Sequence, residues 1–258
     1  MIIRAPRPAE SARIAELLRA AFQPYLPITQ IGASEFLRVY FERPESSPER
    51  VRYVWADNNT VLAYADFRMI SAGCGFLSYI CVDERAKGQG IATALINQFI
   101  CEYSPSSLSL DVDEDNEAAR ALYKKLGFEQ MKRSRWLTRT IPQGEHSMGP
   151  LQFRNLHVSH ACFVQYGFCE IETTWAGQPL CFGRIGTGRL LVPTLDTFRD
   201  DAFLASARKS FPSLDEALYH EDSSESVDDP NTHVLCEENR FTLQISSNPG
   251  SESSPIHS

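Results

Sequence analysis

No apolar run in the sequence approaches the roughly 20 residues that a bilayer-spanning helix needs, and the opening Met1-Ile2-Ile3-Arg4-Ala5-Pro6 lacks the long apolar stretch of a signal peptide. The expectation is a cytoplasmic protein with no membrane partner. A surplus of positive charge is also missing: 25 Lys and Arg against 33 Asp and Glu leave a net charge of -8. This argues against nucleic acid as a partner, because a phosphate backbone calls for a basic face; it suits cationic amine substrates. The seven cysteines (Cys74, Cys81, Cys101, Cys162, Cys169, Cys181, Cys236) are odd in number and never take the close paired spacing of zinc sites. Most of them read as small buried apolar residues, and no metal is expected. None has an evident histidine beside it in a nucleophile arrangement, so a covalent enzyme intermediate is disfavoured.

What is present fits a soluble globular chain, 43% hydrophobic and 22% charged over 258 residues, with room for one domain and a smaller second one. Ile2 to Arg4 reads as a short strand. Behind Pro8, Ile14, Leu17, Leu18, Ala21 and Phe22 recur at helical spacing. Ser34 to Phe41 suggests a second helix ended by the Pro44, Ser46, Ser47, Pro48 cluster. Val51 to Ala56 and Val61 to Ile70 alternate as strands around the turn Asp57-Asn58-Asn59.

Phe76 to Val82 is a further strand, a glycine loop follows, and Ala92, Leu95, Ile96 and Phe99 mark one face of a helix running to about Tyr103. Leu108, Leu110 and Val112 alternate with Ser109, Asp111 and Asp113. Ala119, Leu122, Tyr123 and Leu126 then give a helix closed by Gly127, and strands at Glu129 to Arg135 and Trp136 to Thr140 complete the region.

Residues 141–150 have linker composition, which sets a first domain at 1–140. Beyond lies a small α+β module over 151–245, with strands near Leu151 to Val158, Gly167 to Thr174, Leu180 to Ile185, Arg189 to Val192 and Arg240 to Ile245, and a helix from about Asp200 to Lys209. Trp175 to Pro179 reads as a hairpin tip. Glu221 to Pro230 and the tail 246–258 have the composition of disordered segments. Tyr166-Gly167-Phe168 faintly echoes Leu126-Gly127-Phe128, a hint of internal duplication. Gly183 to Arg189 is glycine-rich but sits between two strands with no helix behind it, so it is taken as a turn. His157 and His160 lack ligand partners at metal spacing.

Between the strand ending at Val82 and the helix beginning near Gly90 stands Arg85-Ala86-Lys87-Gly88-Gln89-Gly90-Ile91-Ala92. Two glycines let the backbone approach a ligand closely, and a helix N-terminus offers free N–H groups and the positive end of its dipole, so a diphosphate suits the place. Arg85 and Lys87 add cations. The segment resembles the acyl-CoA pyrophosphate loop of the Gcn5-related N-acetyltransferase (GNAT) superfamily, and the later run Asn116 to Phe128, with its Leu122-Tyr123 pair, is similar to that family's second hallmark. The resemblance covers residues 1 to about 140. It implies an α/β fold with a mixed, splayed central sheet flanked by helices, acetyl-CoA as co-substrate and an amine as acceptor. It also implies that Ile80, Cys81 and Val82 on the fourth strand bind the pantetheine arm, that Asn116 contacts the same arm, and that the Tyr123 hydroxyl donates a proton to the departing thiolate. Asn116 reads equally well as a helix N-cap.

An ammonium acceptor must lose a proton before it attacks, so a base is needed. Many relatives place a glutamate on the fourth strand, where this chain has Phe76, Leu77, Ser78 and Tyr79. Asp111, twelve residues before Tyr123 (123 − 111), stands where the ribosomal-protein N-terminal acetyltransferases of the superfamily carry a glutamate base, with Asp113 and Asp66 as fallbacks. Phe22, Tyr25 and Glu42 are candidates for the acceptor pocket. The expected activity is acetyl transfer in a ternary complex. The missing glutamate keeps open a regulatory acyl-CoA-binding protein that acts through its C-terminal module, and that module could complete the acceptor site, mediate a homodimer, or do neither.

Overall fold

The computed structural model describes residues 1–42, 49–71, 73–143, 150–221 and 231–245. The Pro44 to Pro48 cluster, most of the expected linker, residues 222–230 and the tail 246–258 lie outside the described residues. Asn58 and Asn59 take positive φ (45° and 69°), which a tight hairpin turn demands and asparagine tolerates. They fold β2 (Arg50–Asp57) back on β3 (Thr60–Ser71). β1 (Ile2–Arg4) adds antiparallel to β2, and β4 (Cys74–Val82) antiparallel to β3. β5 (Ser107–Asp113) runs parallel to β4, which requires a crossover, and α3 (Ile91–Tyr103) supplies it.

Strand alternation decides which helices cover which face. Leu108, Leu110 and Val112 of β5 pack with Leu95, Ile96 and Phe99 of α3 and Tyr123 of α4 (Glu117–Lys125), where Phe67 and Phe99 stack at 4.3 Å between ring centroids. On the opposite face α1 (Ser11–Ala21) and α2 (Ala33–Glu42) bury Ile14, Leu17, Leu18, Leu37 and Phe41 against Val54, Val61, Tyr64 and Cys81. Alternation then turns Asp111 and Asp113 toward the α1 and α2 side, and Asp113 meets Gln23, just past α1, at 3.1 Å. The two strands expected over residues 129–140 form one, β6 (Glu129–Thr140), because no turn residue stands between Arg135 and Trp136.

The second half begins differently from expectation. The strand read at 151–158 is two residues of β7 (Gln152–Phe153), after which α5 (Leu156–Tyr166) runs to a left-handed Gly167. Short apolar runs of this kind do not distinguish strand from helix by spacing alone. β8 (Phe168–Trp175), β9 (Gln178–Ile185) and β10 (Arg189–Leu191) follow as a meander, with Ala176-Gly177 at the tip of the first hairpin and the glycine-rich run at the second. Then come α6 (Leu195–Arg199), α7 (Asp201–Ser210), β11 (Glu216–Glu221) and β12 (Thr232–Gln244), the last reaching back eight residues (240 − 232) beyond the strand expected from Arg240. β10 and β11 are parallel, as β4 and β5 are.

Among the described residues twelve strands share one sheet, in the order β1-β2-β3-β4-β5-β12-β6-β11-β10-β9-β8-β7. Numbered from either edge, each strand of the first half finds the strand six places later at the matching position from the other edge. The chain repeats one topology twice, and the repeats exchange their last strands. Among the described residues β6 pairs only with β12 and β11, and β12 only with β5 and β6. The cores record the exchange. Phe241 of β12 is fully buried in the first-half core, while Leu137 of β6 and Ile141 are buried in the second. The sequence echo between Tyr166-Gly167-Phe168 and Leu126-Gly127-Phe128 is a different correspondence, since strand order matches β8 with β2.

Candidate active site at the split between β4 and β5

Ser78 is where β4 parts from β5. In the ladder with β3, Asp66 stands opposite Tyr79 and Phe67 opposite Leu77, so Ser78 is an extra residue that forms a bulge. The parallel ladder with β5 ends at Leu77 opposite Leu110, one residue before the bulge. Leu77 packs in the core beneath α3, and Cys81, past the bulge, packs beneath α1. From Ser78 to Val82 the edge of β4 that faces β5 carries no strand partner, and it lines a cleft of about 1700 Å³. The Ser78 hydroxyl is buried without a hydrogen-bond partner. A free strand edge of this kind can pair with an extended amide-bearing chain as an added strand would. Ile80, Cys81 and Val82 all lie on this wall.

The turn after β4 is held from below. Asp83 accepts the Arg85 N–H at 2.9 Å, takes the Arg85 guanidinium through Nε and an Nη at 3.0 Å each, and pairs with Arg13 of α1. These donors hold its carboxyl well below the usual range, Arg85 first among them. Gly88 and Gly90 both have φ of 77°, and a Cβ on either would meet nothing within 4 Å, so the turn opens onto space. Gly90 is the N-cap of α3 and offers no side-chain cap, which leaves the first N–H groups of the helix, from Ile91 and Ala92 onward, unpaired at the cleft. Main-chain donors, open space and a free strand edge together fit a diphosphate with a pantetheine arm. Ala86, Lys87, Gly88 and Gly90 line the cleft, whereas Arg85 and Gln89 do not. Lys87 is ion-paired with Glu84 at 2.5 Å, so both basic side chains of the turn already hold carboxylates.

Asn116 lines the cleft and caps α4, its Oδ1 accepting the Ala119 N–H at 3.1 Å. Tyr123, on the same helix, is 5% exposed, borders the cleft and packs on Phe128. Burial pushes its phenol well above the ordinary value, which keeps the proton on the hydroxyl at neutral pH. Cys81 is pushed up to about 12 by burial, so the one cysteine on the cleft wall is a thiol and not a nucleophilic thiolate. Asp111 lines the cleft, and both its oxygens are held by Arg240 of β12. Asp66 lies elsewhere, buried between Arg50 at 2.9 Å and Arg52 at 3.0 Å. Phe22 and Tyr25 border the cleft, while Glu42 pairs with Arg38 away from it.

Sequence reasoning missed the groups that strand exchange brings here. Trp136 of β6, His220 of β11, and Glu238 and Arg240 of β12 all line the cleft beside Asp111 and Asp113. His220 stands opposite Trp136 in one ladder and Glu238 opposite Asp113 in another. Only the register of β12 against β5 could have revealed this, and no local pattern encodes it. The second half builds no equivalent turn of its own. Val192, Pro193 and Thr194 join β10 to α6 without a glycine, and the Thr194 hydroxyl caps Thr197 N at 3.2 Å, where the first half leaves its helix open.

Comparison with known proteins follows the same outline. Residues 12–128 match the acetyltransferase (GNAT) family. A GCN5-related N-acetyltransferase from Sphaerobacter thermophilus superposes with a TM-score of 0.56 at 15% identity, over 98% of this chain and 98% of that one. A tandem GNAT protein from the clavulanic acid biosynthesis pathway superposes with a TM-score of 0.65 at 10% identity, over 96% of this chain and 99% of the other. At these identities the likeness is one of fold, and it extends across both halves. No curated protein matches the sequence. Among the described residues no helix is long and apolar enough to cross a membrane.

Proposed function

We propose that the protein, whose residues 12–128 match the acetyltransferase (GNAT) family, transfers the acetyl group of acetyl-CoA to a primary amine by direct attack in a ternary complex. The observation that carries the reading is the coincidence of three features at one cleft: the free edge of β4 beyond Ser78, the uncapped start of α3, and the Tyr123 hydroxyl. Acetyl-CoA supplies the activated acyl group. The main chain from Gly88 to Ala92 would hold its diphosphate, and Ile80, Cys81 and Val82 would hold the pantetheine amides, with Asn116 beside them.

Tyr123 keeps its proton at neutral pH and delivers it to the sulfur as the carbon–sulfur bond breaks. The proton lost by the acceptor ammonium passes to Asp111, through a water that the carboxylate holds outside its contacts with Arg240. Alignment of both reactants in one cleft contributes much of the rate. The residues that act on the cofactor belong to the first 140, and residues 151–245 add His220, Glu238 and Arg240 at the acceptor end. The net charge of the chain, -8, favours a cationic acceptor.

The test is release of free CoA thiol by full-length protein given acetyl-CoA and a panel of small and peptide amines, alongside calorimetry with acetyl-CoA alone. Amine-dependent thiol release is expected; no heat of association at millimolar acetyl-CoA would end the proposal. One observation favours a second reading, a regulatory acyl-CoA-binding protein: Arg240 occupies both oxygens of the fifth-strand carboxylate. Binding of acetyl-CoA without thiol release from any amine would decide for it.

A further inference from the structure

Among the described residues, the exchanged strands leave two carboxylates in the cleft with no lysine or arginine to balance them. Asp113 of β5 and Glu238 of β12 stand directly opposite in the ladder, and an oxygen of each lies within 4.8 Å of the other and of Cys236 Sγ. Apart from His220, the hydrogen-bond partners supplied by their neighbours are neutral donors. Gln23 Nε2 and Cys236 Sγ donate to Asp113 at 3.1 and 3.2 Å, and Trp136 Nε1 donates to Glu238 at 3.2 Å. The Cys236 thiol is pushed up to about 12, by burial first and then by Asp113, so it adds no charge. Among the described residues neither carboxylate has a Lys or Arg partner, since Arg240 is engaged with Asp111. His220, 3.1 Å from Glu238, is the one group here able to become cationic, and even then one negative charge remains unbalanced. Two half-buried like charges this close raise each other's energy unless a cation joins them.

A second observation points to the same occupant. Tyr25, 6% exposed, stacks at 5.3 Å on Trp136 and approaches Cys236, Asp113 and Glu238, yet its hydroxyl makes no hydrogen bond of normal geometry. It is a buried polar atom beside the carboxylates whose near neighbour is the Cys236 sulfur. An ammonium placed there would accept nothing from it and would donate to its oxygen as well as to both carboxylates.

We propose that Asp113, Glu238, Trp136 and Tyr25 form a subsite for a second positive charge on the acceptor, so that the substrate is a diamine or polyamine, or an amine carrying a guanidinium. This deepens the acetyl-transfer reading and rests on it. One amine reaches the thioester while another is held at the seam between the two halves. Asp113 is two residues from Asp111 on the same strand face, so the spacing between the two sites is about 7 Å, the length of a short alkyl linker. The substrate pocket is thereby completed by strands of the second half, and β12 is part of the site.

The test compares putrescine with n-butylamine, which share a carbon chain and differ by one charge, on full-length protein saturated with CoA and in the thiol-release assay with acetyl-CoA. Putrescine is expected to bind about tenfold more tightly, with the advantage weakened by salt. Glu238→Gln and Asp113→Asn should each reduce that advantage while leaving CoA affinity unchanged. Equal binding of the two amines to the wild type overturns the proposal and needs no variant to fold; so does an advantage that survives both substitutions in folded protein. Calorimetry with zinc chloride alone supplies the other exclusion: micromolar binding lost in Cys236→Ser would make the cluster a metal site and overturn the ammonium subsite. Loss of acetyl-CoA binding would sink the transferase reading while the amine comparison could still be read on its own.

Discussion

Arg240 of β12 grips Asp111 of β5 through two hydrogen bonds, Nε to Oδ1 at 2.5 Å and an Nη to Oδ2 at 2.6 Å, from the residue directly opposite in the ladder. The two residues lie 129 apart in sequence and belong to different repeats. Their side chains are 26% and 19% exposed, so solvent screens the pair only in part. Arg240→Ala should cost about 1–2 kcal/mol in urea unfolding, because it strands a half-buried carboxylate. The double variant with Asp111→Ala should recover part of that loss. A double variant whose destabilisation equals the sum of the two single variants would mean the pair is not coupled.

The second expectation concerns Tyr123. If its hydroxyl protonates the leaving sulfur, Tyr123→Phe should lower kcat by about a hundredfold or more and leave the KM for acetyl-CoA nearly unchanged, since the ring and its contact with Phe128 persist. A fall confined to KM would assign the residue to packing and binding instead. In this variant thiols more acidic than CoA, as leaving groups, should recover more of the rate than they do in wild type.

Alkaline pH should unfold this protein early. Burial raises the phenols of Tyr25, Tyr53, Tyr64, Tyr79 and Tyr123 above the ordinary value, with nearby carboxylates adding to the shift at all but Tyr123. In the unfolded chain each loses its proton near pH 10, and in the folded protein each holds it longer, so the unfolded state alone gains by ionising. Stability is therefore fully present below about pH 10 and falls as pH rises toward the folded values. Thermal melts from pH 8 to 11, with phenolate absorbance followed in parallel, should show the melting temperature dropping as the buried phenols ionise together with unfolding. Ionisation of all nine tyrosines near pH 10 in protein that stays folded would contradict the burial.

What the sequence made legible follows from how local each feature is. The hairpin at Asn58-Asn59, the turn at Gly88 to Gly90 and the cap at Asn116 are set by a few neighbouring residues, and each stands where the pattern put it. The match of residues 12–128 to the acetyltransferase (GNAT) family was legible for the same reason, as two motifs in order along a strand–turn–helix plan. α5 was hidden because its apolar residues do not form a clear helical stripe, and it was read as a strand. The place of β12 between β5 and β6 could not be read at all. A long strand with polar and apolar residues on both faces states nothing about its neighbours, and the ladder that fixes them spans more than a hundred residues. Glu238, His220 and Arg240 reach the cleft only through that ladder, so the acceptor end was beyond pattern reading.

The exchange of last strands also predicts how the halves behave apart. β6 has no ladder with any strand of its own half, and β5 loses its outer neighbour if β12 is removed. A fragment of residues 1–143 would therefore expose the edge of β5, leave β6 unpaired, and lose Phe241 from its core, a side chain whose burial is worth about 1.5–3 kcal/mol. It should not fold as a monomer. The repeat offers it one remedy, since a second copy could place its own β6 where β12 belongs and rebuild the centre of the sheet around a two-fold axis. Size-exclusion chromatography with light scattering should find the fragment dimeric or aggregated, and co-expression with residues 150–258 should yield a soluble one-to-one complex. A monomeric 1–143 fragment with a cooperative melt would show that the exchanged strand is dispensable to the first half, and the joint construction of the cleft would lose its physical basis.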